Sequence, residues 1–117
     1  MSDLVLYGIA NCDTVRKARR ALDAAGVDFR FVDFRKDGLE EAQLHRWVDA
    51  VGWEALVNRR GTTWRQLPED TREAIDQERA IALMLEHPTL IKRPVVERGG
   101  DVYVGWNAAT ASELGAG

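Results

Sequence analysis

The chain contains one cysteine, Cys12, at a position where a thiol can be reactive. It follows an apolar run rich in strand formers, Leu4 to Ile9, and precedes a pattern that predicts a helix beginning near Asp13. A thiol at the start of a helix faces unpaired backbone N–H groups and the positive end of the helix dipole. Such surroundings lower a thiol pKa into a range of about 3.5–7.5, which makes thiolate available near neutral pH. We therefore interpret Cys12 as a nucleophile, rather than as the small buried apolar residue that a lone cysteine usually is.

The residues around Cys12 indicate which reaction its thiolate can carry out. Arg16, four residues further on, is expected to face the same end of the helix, and Asn11 directly precedes the thiol. Converging N–H donors at a helix N-terminus can hold an oxyanion, so attack on an oxyanion or on a disulfide is a natural reaction. Val15 occupies the place of the second cysteine in a Cys-x-x-Cys motif. An external thiol must therefore reduce any oxidised form of Cys12.

The composition is that of a soluble globular protein and excludes several classes of function. With 16 basic and 19 acidic residues, the net charge is −3, which argues against direct binding of nucleic acid. No segment approaches the roughly 18 apolar residues of a membrane span, and the N-terminus does not have the pattern of a secretory signal. His45 and His87 are 42 residues apart, and no spacing typical of a zinc site includes them, so no metal site is expected. We expect a cytoplasmic protein, in which a lone thiol stays reduced unless it is catalytic or sensing.

The pattern along the chain predicts strands at both ends and helices between them. The first strand, the helix after Cys12 and a second strand over 28–34 form a βαβ unit, whose strands are expected to be parallel. Residues from about 39 to 88 have helical spacing, and this block is interpreted as an inserted cap. Two further strands flank the Gly99-Gly100 turn and are expected to form a hairpin. Asn107 is expected to cap a short final helix.

Three segments carry a recognisable pattern: Tyr7–Ala18, Asn58–Arg65 and His87–Val96. Together they span nearly the whole chain and resemble the ArsC/Spx family, most closely its YffB-like branch. The resemblance implies an α/β fold of the thioredoxin-like (glutaredoxin-like) type, a mixed sheet with an inserted helical subdomain. We predict a single domain over 1–117, with the thioredoxin-like core over 1–38 and 89–117 and the helical insertion over about 39–88.

The resemblance also implies roles for individual residues. Cys12 matches the nucleophilic cysteine of the family, and Arg60, or Arg59 one residue earlier, resembles its first oxyanion-binding arginine. Arg93 resembles the second, immediately before Pro94, whose peptide bond is cis in the family. Guanidinium groups suit these positions because their fixed donors match an oxyanion or a carboxylate. The predicted oxyanion- or substrate-binding residues are Arg60, Arg93, Arg59, Arg16 and Asn11.

The chain departs from the family at two places. The arsenate reductases have a third arginine near the start of the final segment, where this chain has Gly105-Trp106-Asn107. An arsenate site here would therefore lack one positive charge. Regulators of the Spx type with a redox switch carry a second cysteine at Cys-x-x-Cys, and Val15 excludes a disulfide switch of that kind.

These observations predict a glutathione-dependent thiol oxidoreductase of the arsenate reductase-like family. The Cys12 thiolate would attack an oxyanion or a mixed disulfide, and glutathione or a glutaredoxin would regenerate the thiol. Glutathione would be a co-substrate, with no bound cofactor, and neither a nucleic acid nor a membrane is an expected partner. Two alternatives stay open: a non-enzymatic regulator that binds RNA polymerase, as Spx relatives do, and a retained scaffold in which Cys12 titrates at about 8.5.

Overall fold

The computed structural model describes residues 3–117. They divide into a first unit, the residues up to Gly38 with Arg93–Gly117, and a second unit, Leu39–Lys92, which includes the block predicted as a helical insertion. A 3₁₀ turn, Pro88–Leu90, precedes the third strand. In chain order, the elements are β1 (Leu4–Gly8), α1 (Asp13–Ala24), β2 (Arg30–Asp33), α2 (Phe34–Asp37), α3 (Glu41–Val51), α4 (Trp53–Leu56), α5 (Thr62–Gln66), α6 (Glu69–Glu73), α7 (Gln77–Glu86), β3 (Val95–Arg98), β4 (Asp101–Val104) and α8 (Ala108–Glu113).

The first unit is built on a four-stranded sheet in the order β2-β1-β3-β4. Strands β1 and β2 are parallel, as predicted for the βαβ unit, with Leu6 opposite Phe31. Strand β3 is antiparallel to both β1 and β4, and β3 and β4 form the predicted hairpin around Gly99-Gly100. This mixed sheet, with α1 in the crossover between its parallel strands, confirms the predicted thioredoxin-like α/β fold class.

Helix α1 contributes one apolar face to the core of the first unit. Its Val15, Ala18 and Leu22 are fully buried, and their spacing of three and four residues is what places them on one side of a helix. The helix ends before Gly26, whose φ of 72° lies in the left-handed region that glycine adopts without a Cβ clash. The buried partners in the same cluster are Leu4, Leu6, Val96 and Leu114.

The second unit includes α3 to α7. Helix α3 buries Leu44, Trp47 and Val48, as its helical spacing predicted, and it contacts α4 and α7. A short helix, α5, begins at Thr62 with Gly61 as its N-cap. A helix of this length is too short to show apolar periodicity, so the sequence pattern does not resolve it from its neighbours.

Among residues 3–117, no helix is both long and apolar enough to span a bilayer. Over the same residues, no three His, Cys, Asp or Glu side chains are grouped so that they could hold a metal ion.

Candidate active site

Cys12 lies in the turn between β1 and α1. It is the N-cap of α1, with extended backbone angles of φ −94° and ψ 127°. Its N–H donates to the carbonyl of Ile9 at 3.1 Å, and its carbonyl accepts the N–H of Arg16 at 2.9 Å. These bonds close a tight turn and start the helix, so the side chain lies beside the first amides of α1. The thiol is half-buried and packs against the core cluster of the first unit.

Two contacts hold the Cys12 loop in place. At Gly8, a Cβ would lie only 2.6 Å from Cγ2 of the buried Val15, so the missing side chain permits the start of α1 to approach the end of β1. In the loop itself, the N–H of Ala10 donates to Oδ2 of Asp33 at 3.0 Å. This bond connects the loop to the end of β2.

The surroundings of Cys12 favour its thiolate. Partial burial raises the pKa of the Cys12 thiol, but the backbone N–H of Val15, the guanidinium of Arg93 and the backbone N–H of Thr14 together outweigh it. The pKa of Cys12 therefore lies below its usual value. The side chain forms no regular capping hydrogen bond, in keeping with the weakness of a thiol sulfur as an acceptor, and ionisation strengthens these interactions.

The register of the sheet explains why Arg93 lies near Cys12. In the antiparallel pair of β1 and β3, Tyr7 lies opposite Val95. The residues just before Val95 therefore run alongside the residues just after Tyr7, which lead into Cys12. Arg93 is half-buried at this end of β3, and its guanidinium donates a hydrogen bond to the sulfur and attracts its negative charge. The Arg93–Pro94 peptide bond is cis, which confirms the expectation drawn from the resemblance.

Arg16, which the sequence predicts to bind an oxyanion or substrate, has a partner within its own helix. Its exposed guanidinium pairs with the carboxylate of Asp13, at the start of the same helix. The charge of Arg16 is not among the interactions that lower the pKa of Cys12. Asp13 is within reach because residues three apart lie on the same side of a helix. The role of Arg16 in binding stays a prediction.

Asn11, which directly precedes Cys12 in the loop, is exposed. It lines a cleft of about 380 Å³ together with Asp33, Arg35 and Lys36. The cleft therefore places two cations and one carboxylate beside the Cys12 loop.

Arg59 lies in the second unit, ahead of α5, between two aromatic rings. The carbon at the centre of its guanidinium lies 5.8 Å from the ring centroid of Trp53 and 5.5 Å from that of Trp64. Both distances fall within the range of a cation–π interaction. The position of Arg59 is therefore set by side-chain contacts within its own unit.

Arg60 has an exposed side chain, and its backbone N–H donates to Oδ1 of Asn58 at 3.2 Å. Arg59, Arg60 and Lys92 line a cleft of about 310 Å³ in the second unit. Three cations around one cleft make it suited to an anion. The role that the resemblance gives to Arg60, or to Arg59, stays a prediction.

Comparison with known proteins assigns the chain to a family. A model of the ArsC family matches residues 7–114. The chain belongs to the ArsC family. Its structure is similar to that of a YffB protein, with a TM-score of 0.90 and 42% identity over 96% of this chain and 98% of that protein. This likeness confirms the predicted relation to the YffB-like branch.

Two further relatives of this ArsC-family chain have comparable identity. The solution structure of an arsenate reductase (ArsC) related protein from Brucella melitensis is 47% identical, with a TM-score of 0.81 and coverage of 97% of this chain and 93% of that one. An uncharacterized protein of Haemophilus influenzae is 40% identical over 104 residues, which make up 89% of this chain and 91% of that protein.

Where the arsenate reductases of the family are expected to have a third arginine, this member has residues that stabilise the fold. Trp106 is half-buried and packs against the core cluster of the first unit. Asn107 caps α8, as predicted, by accepting the N–H of Thr110 at 2.8 Å. Gly105 donates its N–H to the carbonyl of Pro94 at 2.8 Å. This segment supplies packing and hydrogen bonds rather than positive charge.

Sequence reasoning missed Asp33 and Lys92. Asp33 directly precedes a short helix, and aspartate is a favoured N-cap residue, so this local signal was available. Its contact with Ala10 has no local signal, because the two residues are 23 positions apart. Lys92 lies next to Arg93 in the sequence, and nothing in the sequence pattern links it to Arg59.

Proposed function

We propose that this ArsC-family protein is a glutathione-dependent thiol oxidoreductase of the cytoplasm, with Cys12 as its nucleophile. The observation that supports the proposal best is the position of Cys12 at the start of α1, where two backbone amides and Arg93 lower its pKa. A thiolate in this setting is both nucleophilic and accessible, since the residue is half-buried rather than sealed in the core.

The reaction follows from the presence of a single thiol. The Cys12 thiolate attacks the glutathionyl sulfur of a mixed disulfide; a new S–S bond forms, the old one breaks, and the substrate leaves as a thiolate. A second glutathione thiolate, free or acting through a glutaredoxin, then attacks the Cys12 mixed disulfide. Glutathione disulfide leaves and the Cys12 thiolate is restored. In sum, the mixed disulfide is reduced to the free thiol of the substrate, and the two glutathionyl sulfurs leave joined in one glutathione disulfide.

A mixed disulfide is a better substrate for this chain than arsenate. Reduction of a mixed disulfide requires a nucleophile and a cation near the sulfur, and Cys12 and Arg93 provide both. The arsenate anion requires more positive charge around it, and residues 105–107 contribute packing and hydrogen bonds instead. An oxyanion is the second candidate substrate for the same thiolate, because this chain is similar to the arsenate reductase-related protein of Brucella melitensis.

Replacing Cys12 by serine tests the proposal. Turnover would be followed as formation of glutathione disulfide from glutathione and a small mixed disulfide, with arsenate as a parallel substrate. We expect Cys12→Ser to reduce turnover to the uncatalysed background, because a serine hydroxyl is not ionised near neutral pH and cannot form the mixed disulfide. Mass spectrometry of the wild-type protein should show a glutathionyl group on Cys12.

Folding of the variant would be checked by thermal unfolding, since a serine in place of a half-buried cysteine is a small change. Turnover that is unchanged in Cys12→Ser would overturn the enzymatic proposal. Binding to RNA polymerase that persists in that variant would support the regulator alternative instead.

A further inference from the structure

Asp33 is the residue that joins the Cys12 loop to the neighbouring strand. It ends β2, and its backbone lies opposite Gly8 in the parallel pair with β1. Its Oδ2 accepts the N–H of Ala10 at 3.0 Å. Its Oδ1 accepts the N–H groups of Arg35 at 3.0 Å and Lys36 at 3.1 Å. One carboxylate thus satisfies three backbone donors, one in the Cys12 loop and two at the start of α2.

The Ala10 contact matters because the loop is short. Only residues 9–12 separate the end of β1 from the start of α1. Cys12 must lie at a fixed position relative to the amides of Thr14 and Val15 and to Arg93 if these groups are to stabilise its charge. Within the loop, the N–H of Cys12 is held by Ile9 and the N–H of Ala10 is held by Asp33, so loss of either bond frees the backbone before the thiol.

We propose that Asp33 is a positioning residue for Cys12: by accepting the Ala10 N–H, it fixes the loop that presents the thiolate to the helix amides and to Arg93. This inference rests on the proposed function in that it assigns Asp33 a role in the same thiolate chemistry. Asp33 does not touch the reacting sulfur and acts through the backbone.

The two carboxylate oxygens of Asp33 have different partners, which distinguishes its positioning role from its role as a helix cap. Capping α2 requires one oxygen, and serine or asparagine supplies one equally well. The second oxygen is used on a residue 23 positions earlier, which a cap does not require. Asp76 offers a comparison, since it caps α7 through Arg79 N–H at 2.9 Å, but its other oxygen pairs with the side chain of that same arginine.

The ionised state of Asp33 agrees with this arrangement. Partial burial raises the pKa of Asp33, but the N–H groups of Ala10, Lys36 and Arg35, together with the charge of Lys36, lower it below the usual value. The carboxylate is therefore charged throughout the pH range in which a thiol titrates, and its hydrogen bonds are of the strong, charge-assisted kind.

The experiment separates the cap from the loop contact by replacing Asp33 with serine. Serine retains an oxygen for the start of α2, but it has no second oxygen for Ala10. The measurement is the rate of Cys12 alkylation by iodoacetamide as a function of pH, in the absence of glutathione. We expect Asp33→Ser to raise the midpoint of this profile by about one pH unit, which corresponds to roughly tenfold slower alkylation at pH values well below the midpoint.

Asp76→Ser is the matched control. It makes the same aspartate-to-serine change at a helix cap, but at the start of α7 in the second unit. It should leave the alkylation profile of Cys12 unchanged. Asp33→Ala, which removes both contacts, should shift the profile at least as far as Asp33→Ser and lower the melting temperature further.

An alkylation profile in folded Asp33→Ser that matches that of the wild type would overturn the positioning role. If Asp33→Ala fails to fold, the serine variant decides the question by itself. The alkylation rate depends only on the Cys12 thiol and not on glutathione turnover, so the two proposals can fail separately. If the alkylation profile shifts in Asp33→Ser but the wild-type protein shows no glutathione turnover, the role of Asp33 is supported and the proposed function is rejected.

Discussion

The protein holds its candidate anion-binding arginines in two different ways. In the first unit, Arg93 lies two residues before β3 begins and acts together with the amides of Thr14 and Val15 on one sulfur. In the second unit, Arg59 lies between the rings of Trp53 and Trp64. The first arrangement is built mainly from backbone groups, and the second mainly from side chains.

This difference predicts which substitutions each region tolerates. Backbone donors have their positions fixed by the sheet register, the helix start and the close contact at Gly8, so changes that move the backbone should disturb the Cys12 region. A guanidinium held by aromatic rings depends on those rings and on its own planar shape. The second region should therefore respond to side-chain changes alone.

The largest effect is expected from Arg93, whose guanidinium is the side-chain cation that acts on the Cys12 sulfur among residues 3–117. Hydrogen bonds to charged groups contribute about 1.5–3 kcal/mol, so Arg93→Ala should lower turnover roughly ten- to a hundredfold. The wild-type alkylation midpoint should lie below the usual thiol value of about 8.5, because the folded state favours the thiolate, and Arg93→Ala should raise it.

Arg98→Ala is the control for this prediction. Arg98 is the last residue of β3, the strand that Arg93 precedes. Its guanidinium donates to the carbonyl of Glu113 at 2.8 Å and to the hydroxyl of Tyr103 at 3.0 Å. Its loss should reduce stability and leave the alkylation profile of Cys12 unchanged. Equal shifts in both variants would show that Arg93 acts through general stability rather than on the sulfur. Arg93→Lys should recover part of the rate, since it keeps the charge and loses the planar fork.

The next effect in size is expected from Gly8→Ala, which tests the backbone of the same region. The new Cβ would lie 2.6 Å from Cγ2 of Val15, a stiff β-branched side chain that is fully buried. Relief requires α1 to move away from the strand, and overpacking of this kind costs about 1–3 kcal/mol. Thermal and urea unfolding should show this loss, and the alkylation midpoint of Cys12 should rise as the helix amides shift.

Gly100→Ala provides the comparison for Gly8. A Cβ at Gly100, in the turn between β3 and β4, would meet nothing within 4 Å. Its effect should stay within about 0.5 kcal/mol, as for surface substitutions in general. Similar losses at both glycines would contradict the close-contact explanation for Gly8.

The contrast between the regions also shows what sequence alone can establish. The strand, turn and helix around Cys12 were predicted because the signals are local: an apolar run, turn-forming residues and apolar spacing of three and four. The hairpin at Gly99-Gly100 and the cap at Asn107 were predicted for the same reason. The meeting of Arg93 with Cys12 depends on how β3 pairs with β1, and that register is a property of the folded sheet.

The contact of Asp33 with Ala10 was out of reach for the same physical reason. A capping aspartate is recognisable from its neighbours, but a second partner 23 residues away is defined only once β1 and β2 lie side by side. Arg16 shows that a local pairing can also determine a partner: it lies four residues after Cys12, and its ion pair is with Asp13, three residues before it. Local patterns located the thiol, and tertiary pairing determined its neighbours.

The smallest effect is expected in the region built from side chains. Arg59→Ala removes the cation between Trp53 and Trp64, and exposed cation–π contacts contribute about 0.5–1 kcal/mol each. The loss should appear as a modest decrease in the free energy of unfolding and as a change in tryptophan emission. Arg60→Ala is the matched control, because its side chain is exposed and has no such ring contact among the described residues, so it should change neither quantity. A change in tryptophan emission of equal size in both variants would show that Arg59 is not held by the two aromatic rings any more than Arg60 is. It would then contradict the proposal that side-chain contacts fix the arginine in this region.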